Sequence, residues 1–279
     1  MKTRKFCRKI FLLCIPGFAG FLVFYLLPFF KSLYYAFISD NFHRKFVGLG
    51  KYIEVIQNSF FRLALKNTMI FSTFGVIILL ILSLLLTIAL TKTAMKSSFI
   101  KNVFLLPMLL PTVSVITAWQ TIFDSDLYFS WMKGGNPILE ALPMYVMFIW
   151  KYTGINVIIL TSAFLGLPEE VLEAAELDGA GGFQRIRYIC LPLLTPTLFF
   201  VGVLSVVNSM KIFKECFLFF ETGYPPDAVY SVQFYMNNHF QKLNYQNLAC
   251  ASSIVAVLIG ALIYVAYRIQ NKAMKGVGI

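Results

Sequence analysis

The chain has 279 residues, 58% hydrophobic and 13% charged, with a formal net charge of +11 and a mean hydropathy of +0.74. Soluble domains carry about a quarter charged residues, so this composition excludes one. Several apolar runs of around twenty residues, enough helix to cross ~30 Å of hydrocarbon, predict an all-α polytopic membrane protein; a membrane β-barrel would show short alternating segments instead.

The positive excess is not a nucleic-acid footprint, because many basic residues sit at the ends of apolar runs, as membrane topology requires. Cys7, Cys14, Cys190, Cys216 and Cys250 are odd in number and scattered. They suggest neither a zinc site nor a disulfide framework. His43 and His239 read as ordinary surface residues in loops.

Lys2, Arg4, Lys5, Arg8 and Lys9 precede an apolar run from Ile10 to Phe30. A signal peptide shares this charge order, but its apolar core covers only about 7–15 residues and ends in a small-residue cleavage site. The run instead continues through Tyr25-Leu26-Leu27-Pro28, predicting a first span over 10–30 with a cytoplasmic N-terminus. Residues 31–66 are too polar to span, and their aromatic side chains suit an interface. Gly48-Leu49-Gly50-Lys51 lacks phosphate-loop spacing and reads as a turn.

A second span is predicted over 68–90, followed by a cytoplasmic segment with Lys92, Lys96 and Lys101. The third, 103–123, contains Pro107 and Pro111, which remove two backbone donors. That predicts a kinked helix facing the bundle interior, where protein or water re-satisfies the freed carbonyls. An outer loop, 124–142, carries Asp124, Asp126, Gly134-Gly135 and Pro137. The fourth span covers 143–167, the fifth 191–220 and the sixth 248–267, with a polar outer segment at 221–247. Arg268, Lys272 and Lys275 follow the sixth.

Six spans put both termini and the segments 91–102 and 168–190 on one side, and the short inner segments are the denser in Lys and Arg. The positive-inside rule thus gives cytoplasmic termini, although Lys31, Arg44, Lys45, Lys51, Arg62 and Lys66 fall in the first outer segment.

The segment between the fourth and fifth spans stands apart. Five of the thirteen acidic residues lie at Glu169, Glu170, Glu173, Glu176 and Asp178. Pro168-Glu169-Glu170 is a helix start, with acids facing the positive helix end. Gly179, Gly181 and Gly182 break that helix, and a second short one follows from Phe183. The small residues allow another protein to approach closely; the alternative is a solvated linker.

Here the chain resembles a known family. Glu173-Ala174-Ala175, then Gly179, Ile189, Leu191 and Pro192, resemble with intact spacing the EAA motif of binding-protein-dependent ABC importer permeases. Asp178, Ala180, Phe183, Pro192 and Pro196 extend the match to the carbohydrate permeases, while Ile186 stands where an aromatic residue is common. Leu27-Pro28 with Ser32, Gly48-Leu49 with Tyr52, Ala64-Leu65 with Asn67-Thr68, and Leu106-Pro107 with Pro111 and Trp119 also resemble family signatures. Lys51 replaces the usual Asn. The likeness is greatest to the maltose and glycerol-phosphate branch, to the subunit that pairs with a second, different permease; the large outer insertion of the enteric maltose subunit is absent.

The resemblance implies a type I ABC importer permease fold, one transmembrane domain in the cell membrane. It implies as partners a second homologous permease, two cytoplasmic ABC ATPase subunits, an extracytoplasmic solute-binding protein, a carbohydrate and membrane lipid. The 168–190 element would dock in an ATPase cleft, so that ATP-driven closure flips the cavity from inward- to outward-facing. The chain has no Walker A sequence; ATP and Mg would be held by the partner, and no cofactor by this chain.

Two sets of polar and aromatic residues inside spans are candidates for substrate contact, since such groups are costly in a membrane. Ser205, Asn208, Ser209 and Ile212 share one helical face. Trp150, Lys151, Tyr152, Ile155 and Asn156 cluster on the fourth span. By alignment from the EAA stretch, both sets match positions lining the sugar site of the maltose permease. Trp119-Gln120 is a weaker candidate. The competing reading is that Ser205, Asn208 and Ser209 join helices. Lys151 could attract a substrate anion, pair with an acid of the partner permease, or snorkel to the outer interface, which the sequence favours. Lys211, Lys214 and Glu215 are expected at the outer end of the fifth span, with the same ambiguity. Import of an anion such as glycerol phosphate is the alternative; a secondary transporter is disfavoured by the scarcity of carboxylates within the spans.

Overall fold

A computed structural model describes residues 14–39, 43, 45–91, 98–123 and 136–277. The N-terminal basic cluster, Cys7, the start of the first predicted span, Arg44, Lys92, Lys96, Asp124, Asp126 and Gly134-Gly135 lie outside the described residues. Among those described the chain is helical, apart from one antiparallel bridge pairing Ile38 with Phe46.

The helices are α1 (Cys14–Tyr35), α2 (Gly50–Gln57), α3 (Ser59–Thr91), α4 (Ser98–Leu109), α5 (Thr112–Phe123), α6 (Pro137–Leu165) and α7 (Glu169–Leu177). They continue with α8 (Gly182–Phe220), α9 (Val232–Gln241) and α10 (Tyr245–Val277). Five of them, α1, α3, α6, α8 and α10, are long and apolar enough to cross a membrane, and α4 with α5 makes a sixth if the bent pair is one span.

Local chemistry sets boundaries that hydropathy misplaces. Helix α3 begins at Ser59, nine residues before the predicted span, because the Asn58 side chain accepts the Phe61 N–H at 3.1 Å and caps it. Helix α6 begins at Pro137 rather than 143, with Asn136 Oδ1 accepting the Ile138 N–H at 3.0 Å and proline in the first turn. The predicted kinked third span is two helices at 92°. Pro107 is carried inside α4, and the break falls at Leu110-Pro111, where a residue before proline is pushed off the helical conformation. The segment 221–247 is also more ordered than its polarity suggests: it holds a 3₁₀ turn, Asp227–Val229, and α9.

Two helices contain π-helical turns. Leu22–Leu26 and Ile186–Cys190 each immediately precede a Leu-Pro pair, Leu27-Pro28 and Leu191-Pro192. In each case the leucine N–H reaches back five residues, to Leu22 O and to Ile186 O. The wider turn carries the helix into a proline that supplies no donor. The second arm of the loop is therefore continuous with the fifth span rather than a separate short helix.

The chain divides into two compact units, Met1–Arg62 with Tyr235–Val257, and Leu63–Phe234 with Leu258–Ile279. In the first, Ile38, Val55, Phe61, Tyr235 and Cys250 are buried. Phe61 meets Tyr235 edge-on at 5.2 Å, and Ser253 donates to the Tyr52 hydroxyl at 3.0 Å. Gly48 takes φ +55, which accounts for the glycine of the Gly-Leu signature. His239 lies in α9, half-buried against Tyr235, and not in a surface loop.

In the second unit α6 is central, burying Met144, Met147, Phe148, Tyr152, Val157 and Leu160. Phe71 of α3 packs on Tyr145 and Phe148 at 4.9 and 5.2 Å. Asn67 donates to the carbonyls of Asp227 and Tyr230, and Thr68 Oγ1 accepts the Val232 N–H at 2.9 Å. The Asn-Thr signature thus holds down the segment leading into α9. Gly154 lets α6 approach α4 so closely that a Cβ would run into the Phe104 carbonyl oxygen.

Candidate functional site

The loop between α6 and α8 is a helix, a closed turn and a second helical arm. Glu169 and Glu170 occupy the first turn of α7, and Pro168 precedes it in extended conformation. At the other end the Gly179 N–H bonds Glu176 O at 3.1 Å and the Ala180 N–H bonds Ala175 O at 2.9 Å. With Gly179 at φ +79, this is a Schellman ending, which needs a residue free to adopt the left-handed region. The glycine and Ala175 have physical roles: Ala175 is buried, whereas Glu173, Ala174 and Asp178 are exposed and Ala180 is partly covered. Gln184 Oε1 accepts the Gly181 N–H at 2.9 Å to start the second arm, and Arg185 pairs with Glu176 at 3.3 Å across the turn.

This loop presents apolar surface outward. Leu177 is 90% exposed, Phe183 79% and Tyr188 71%. Phe183 was anticipated by the motif, and Leu177 and Tyr188 were not. Ile189, Leu191 and Pro192 are half-buried where the arm enters α8.

Within the second unit the two predicted residue sets meet. Ser205, Asn208, Ser209 and Ile212 of α8 are all buried on one face. Asn156 of α6 donates to Ser205 Oγ at 3.0 Å, Ser72 of α3 and Ser209 share a bond of 2.8 Å, and Lys211 reaches Asn208 Oδ1 at 3.4 Å. Ser205 and Ser209 therefore tie helices together in this conformation. Tyr152 is buried against Phe148 at 5.4 Å, Ile155 is half-buried, and Trp150 is 38% exposed.

Lys151 does not snorkel to an interface. Its ammonium pairs with Glu215 of α8, and Glu215 is 4% exposed. The favoured expectation fails because a carboxylate 64 residues away is brought beside it by the packing of α6 on α8. Glu215 lies five residues before the end of α8 at Phe220, toward the end where the sequence reading placed it. Trp119 of α5 stands edge-on to Trp150 at 5.7 Å, and Gln120 donates to Phe219 O at 3.1 Å and to Leu218 O at 3.4 Å. Trp119, Trp150, Lys151 and Glu215 line a small cleft beside the α4–α5 break. Among the described residues no group of three His, Cys, Asp or Glu side chains could hold a metal ion.

Residues 96–276, more than half of the chain, match the model of the binding-protein-dependent transport system inner membrane component family. The chain is 27% identical over 230 residues to the arabinooligosaccharides transport system permease protein AraP of Halalkalibacterium halodurans, covering 77% of this chain and 72% of that protein. It is 26% identical over 282 residues to the sn-glycerol-3-phosphate transport system permease protein UgpA of Yersinia pestis, covering 95% of each. In fold it is similar to a chain of a bacterial ABC transporter involved in import of the acidic polysaccharide alginate, with a TM-score of 0.79, 19% identity and coverage of 97% and 98%.

Proposed function

Because the chain belongs to the binding-protein-dependent transport system inner membrane components, we propose that it forms half of the pathway of an ATP-driven carbohydrate importer. It is a multi-pass membrane permease subunit of an ABC importer, works with a solute-binding protein, and is not itself an enzyme. A second homologous permease supplies the other half. Two cytoplasmic ATPase subunits hold the ATP and Mg, no cofactor is bound by this chain, and both termini are cytoplasmic in the cell membrane.

The observation that carries this reading is the loop from Pro168 to Cys190. It exposes Leu177, Phe183 and Tyr188 while its second arm is continuous with the helix bearing Ser205, Asn208, Ser209 and Ile212. Glu173, Ala174, Ala175, Asp178, Gly179, Ala180, Phe183, Ile189, Leu191 and Pro192 form the coupling element. Closure of the ATPase pair moves this arm, and α8 carries that movement to the polar interior. Trp150, Lys151, Tyr152, Ile155 and the four α8 residues are the proposed substrate surface, uncovered as helices separate. The sugar names among the relatives support a carbohydrate cargo.

The test is uptake by the complete complex in proteoliposomes with its binding protein and ATP. Transport of labelled oligosaccharide that stops when the ATPase is inactivated is expected. Transport of glycerol phosphate alone would establish the second reading, which the likeness to UgpA along 95% of both chains favours; ATP-independent transport would overturn both. For orientation, a reporter enzyme fused after residue 279 and active only outside the cell would contradict cytoplasmic termini.

A further inference from the structure

We infer that Glu215 is a specificity-determining substrate contact, whose second carboxylate oxygen accepts a hydrogen bond from a carbohydrate hydroxyl. This rests on the carbohydrate reading above. Glu215 Oε1 takes the Lys151 ammonium, but Oε2 is buried and no protein donor among the described residues reaches it. A buried charged oxygen without a donor is expensive, so the site has reason to await one.

The surroundings say what kind. Glu215 helps to line a cleft with room for about one water-sized group, the size of a hydroxyl. Its wall includes Trp119 and Trp150, set at 81° to each other, with Trp150 partly exposed at the rim. Indole rings offer apolar faces to sugar C–H groups, and a carboxylate is an acceptor of short, strong bonds from hydroxyls. The remaining ammonium hydrogens of Lys151 can donate to the same or a neighbouring sugar oxygen. Pair and rings together suit a neutral polyhydroxyl ligand. A phosphate or carboxylate finds no net positive charge, because Glu215 already neutralises Lys151, and it meets the free oxygen as a like charge. The site therefore selects against anions, although a lone lysine in sequence suggests the reverse.

Two double variants separate substrate contact from a structural tie. K151M/E215M replaces the pair by apolar groups, a change that folded proteins often tolerate, unlike removal of one partner. K151E/E215K keeps a pair but moves the carboxylate to the other helix. Each would be assembled with the full importer and assayed in proteoliposomes for labelled neutral oligosaccharide, with sn-glycerol 3-phosphate in parallel. We expect both to co-purify with the ATPase, and oligosaccharide uptake to fall roughly tenfold or more, as for loss of a charge-assisted hydrogen bond. Uptake at the unmodified rate in either variant overturns the proposal and leaves the carbohydrate reading standing. Failure of both to assemble also overturns it, since the pair is then a structural tie. Import of the phosphate and not the oligosaccharide by the unmodified protein removes the carbohydrate reading itself.

Discussion

At Gly154 an added methyl would meet the Phe104 carbonyl oxygen, a backbone atom that cannot swing aside. Gly154→Ala should therefore push α4 from α6 and cost about 1–3 kcal/mol, the range for overpacking. The measurement is the melting temperature of the purified protein. Gly75→Ala is the control, because its Cβ would meet only side chains at ordinary contact distance, the Phe148 ring at 3.5 Å and the Tyr145 ring at 3.6 Å; an equal loss in both would refute close approach as the cause. Asn67 is similarly specific: it serves two carbonyls of the Asp227–Tyr230 turn, so Asn67→Ala loses two hydrogen bonds, at about 1–3 kcal/mol. Faster proteolysis between 221 and 231 would report it, and an unchanged cleavage pattern would contradict it. Neither role is visible in sequence. A glycine inside an apolar run and an Asn before a Thr carry no label saying which backbone they will face.

At the scale of an element, the loop divides structural need from contact. Gly179→Val forces a β-branched residue into the left-handed region, at about 1–2 kcal/mol of local strain, and opens the turn joining α7 to α8. Phe183→Ala removes a side chain that is 79% exposed, so folding should be indifferent to it. Both are expected to reduce uptake at least about tenfold with normal membrane insertion, since a buried aromatic anchor at an interface is worth about 2 kcal/mol or more. Full uptake and retained ATPase co-purification by Phe183→Ala would remove the docking role. Much of this element was legible, because glycine, proline and acidic helix starts act locally. The boundaries of α3 and α6 were not, because Asn58 and Asn136 extend them into sequence whose polarity argues against a span. The right-angle break at Leu110-Pro111 was legible as a proline and illegible as an angle.

For the whole molecule, the helical membrane class follows from composition, while the buried Lys151–Glu215 pair depends on which helices pack together. A further global property follows from the first unit. Glu54 is held below the usual carboxylate range, foremost by its bond from Lys51 and also by that from Asn247, against the effect of burial. His239 is pushed below its usual value by burial, with nearby Lys242 adding to it. Both groups bind protons less readily folded than unfolded. Their contribution is present above the unfolded values of about 6.5 for His239 and about 4.3 for Glu54, and is lost as pH falls through the lowered folded values. The melting temperature should thus decline from pH 7.5 to pH 5, and less steeply in His239→Gln. Identical slopes would exclude the histidine as a source.

The π turn at Ile186–Cys190 has a consequence for how the permease can vary. One residue in a regular helix advances the side-chain direction by about 100°, and a π turn absorbs one residue beyond the regular path. Removing a residue there would let the helix close to regular geometry while Ser205, Asn208 and Glu215 keep their azimuth. The same deletion a turn later would swing all three away from α6. The π turn thus lets the interval from Gly179 to Pro192 shorten by one residue while the fifth span keeps its rotational phase.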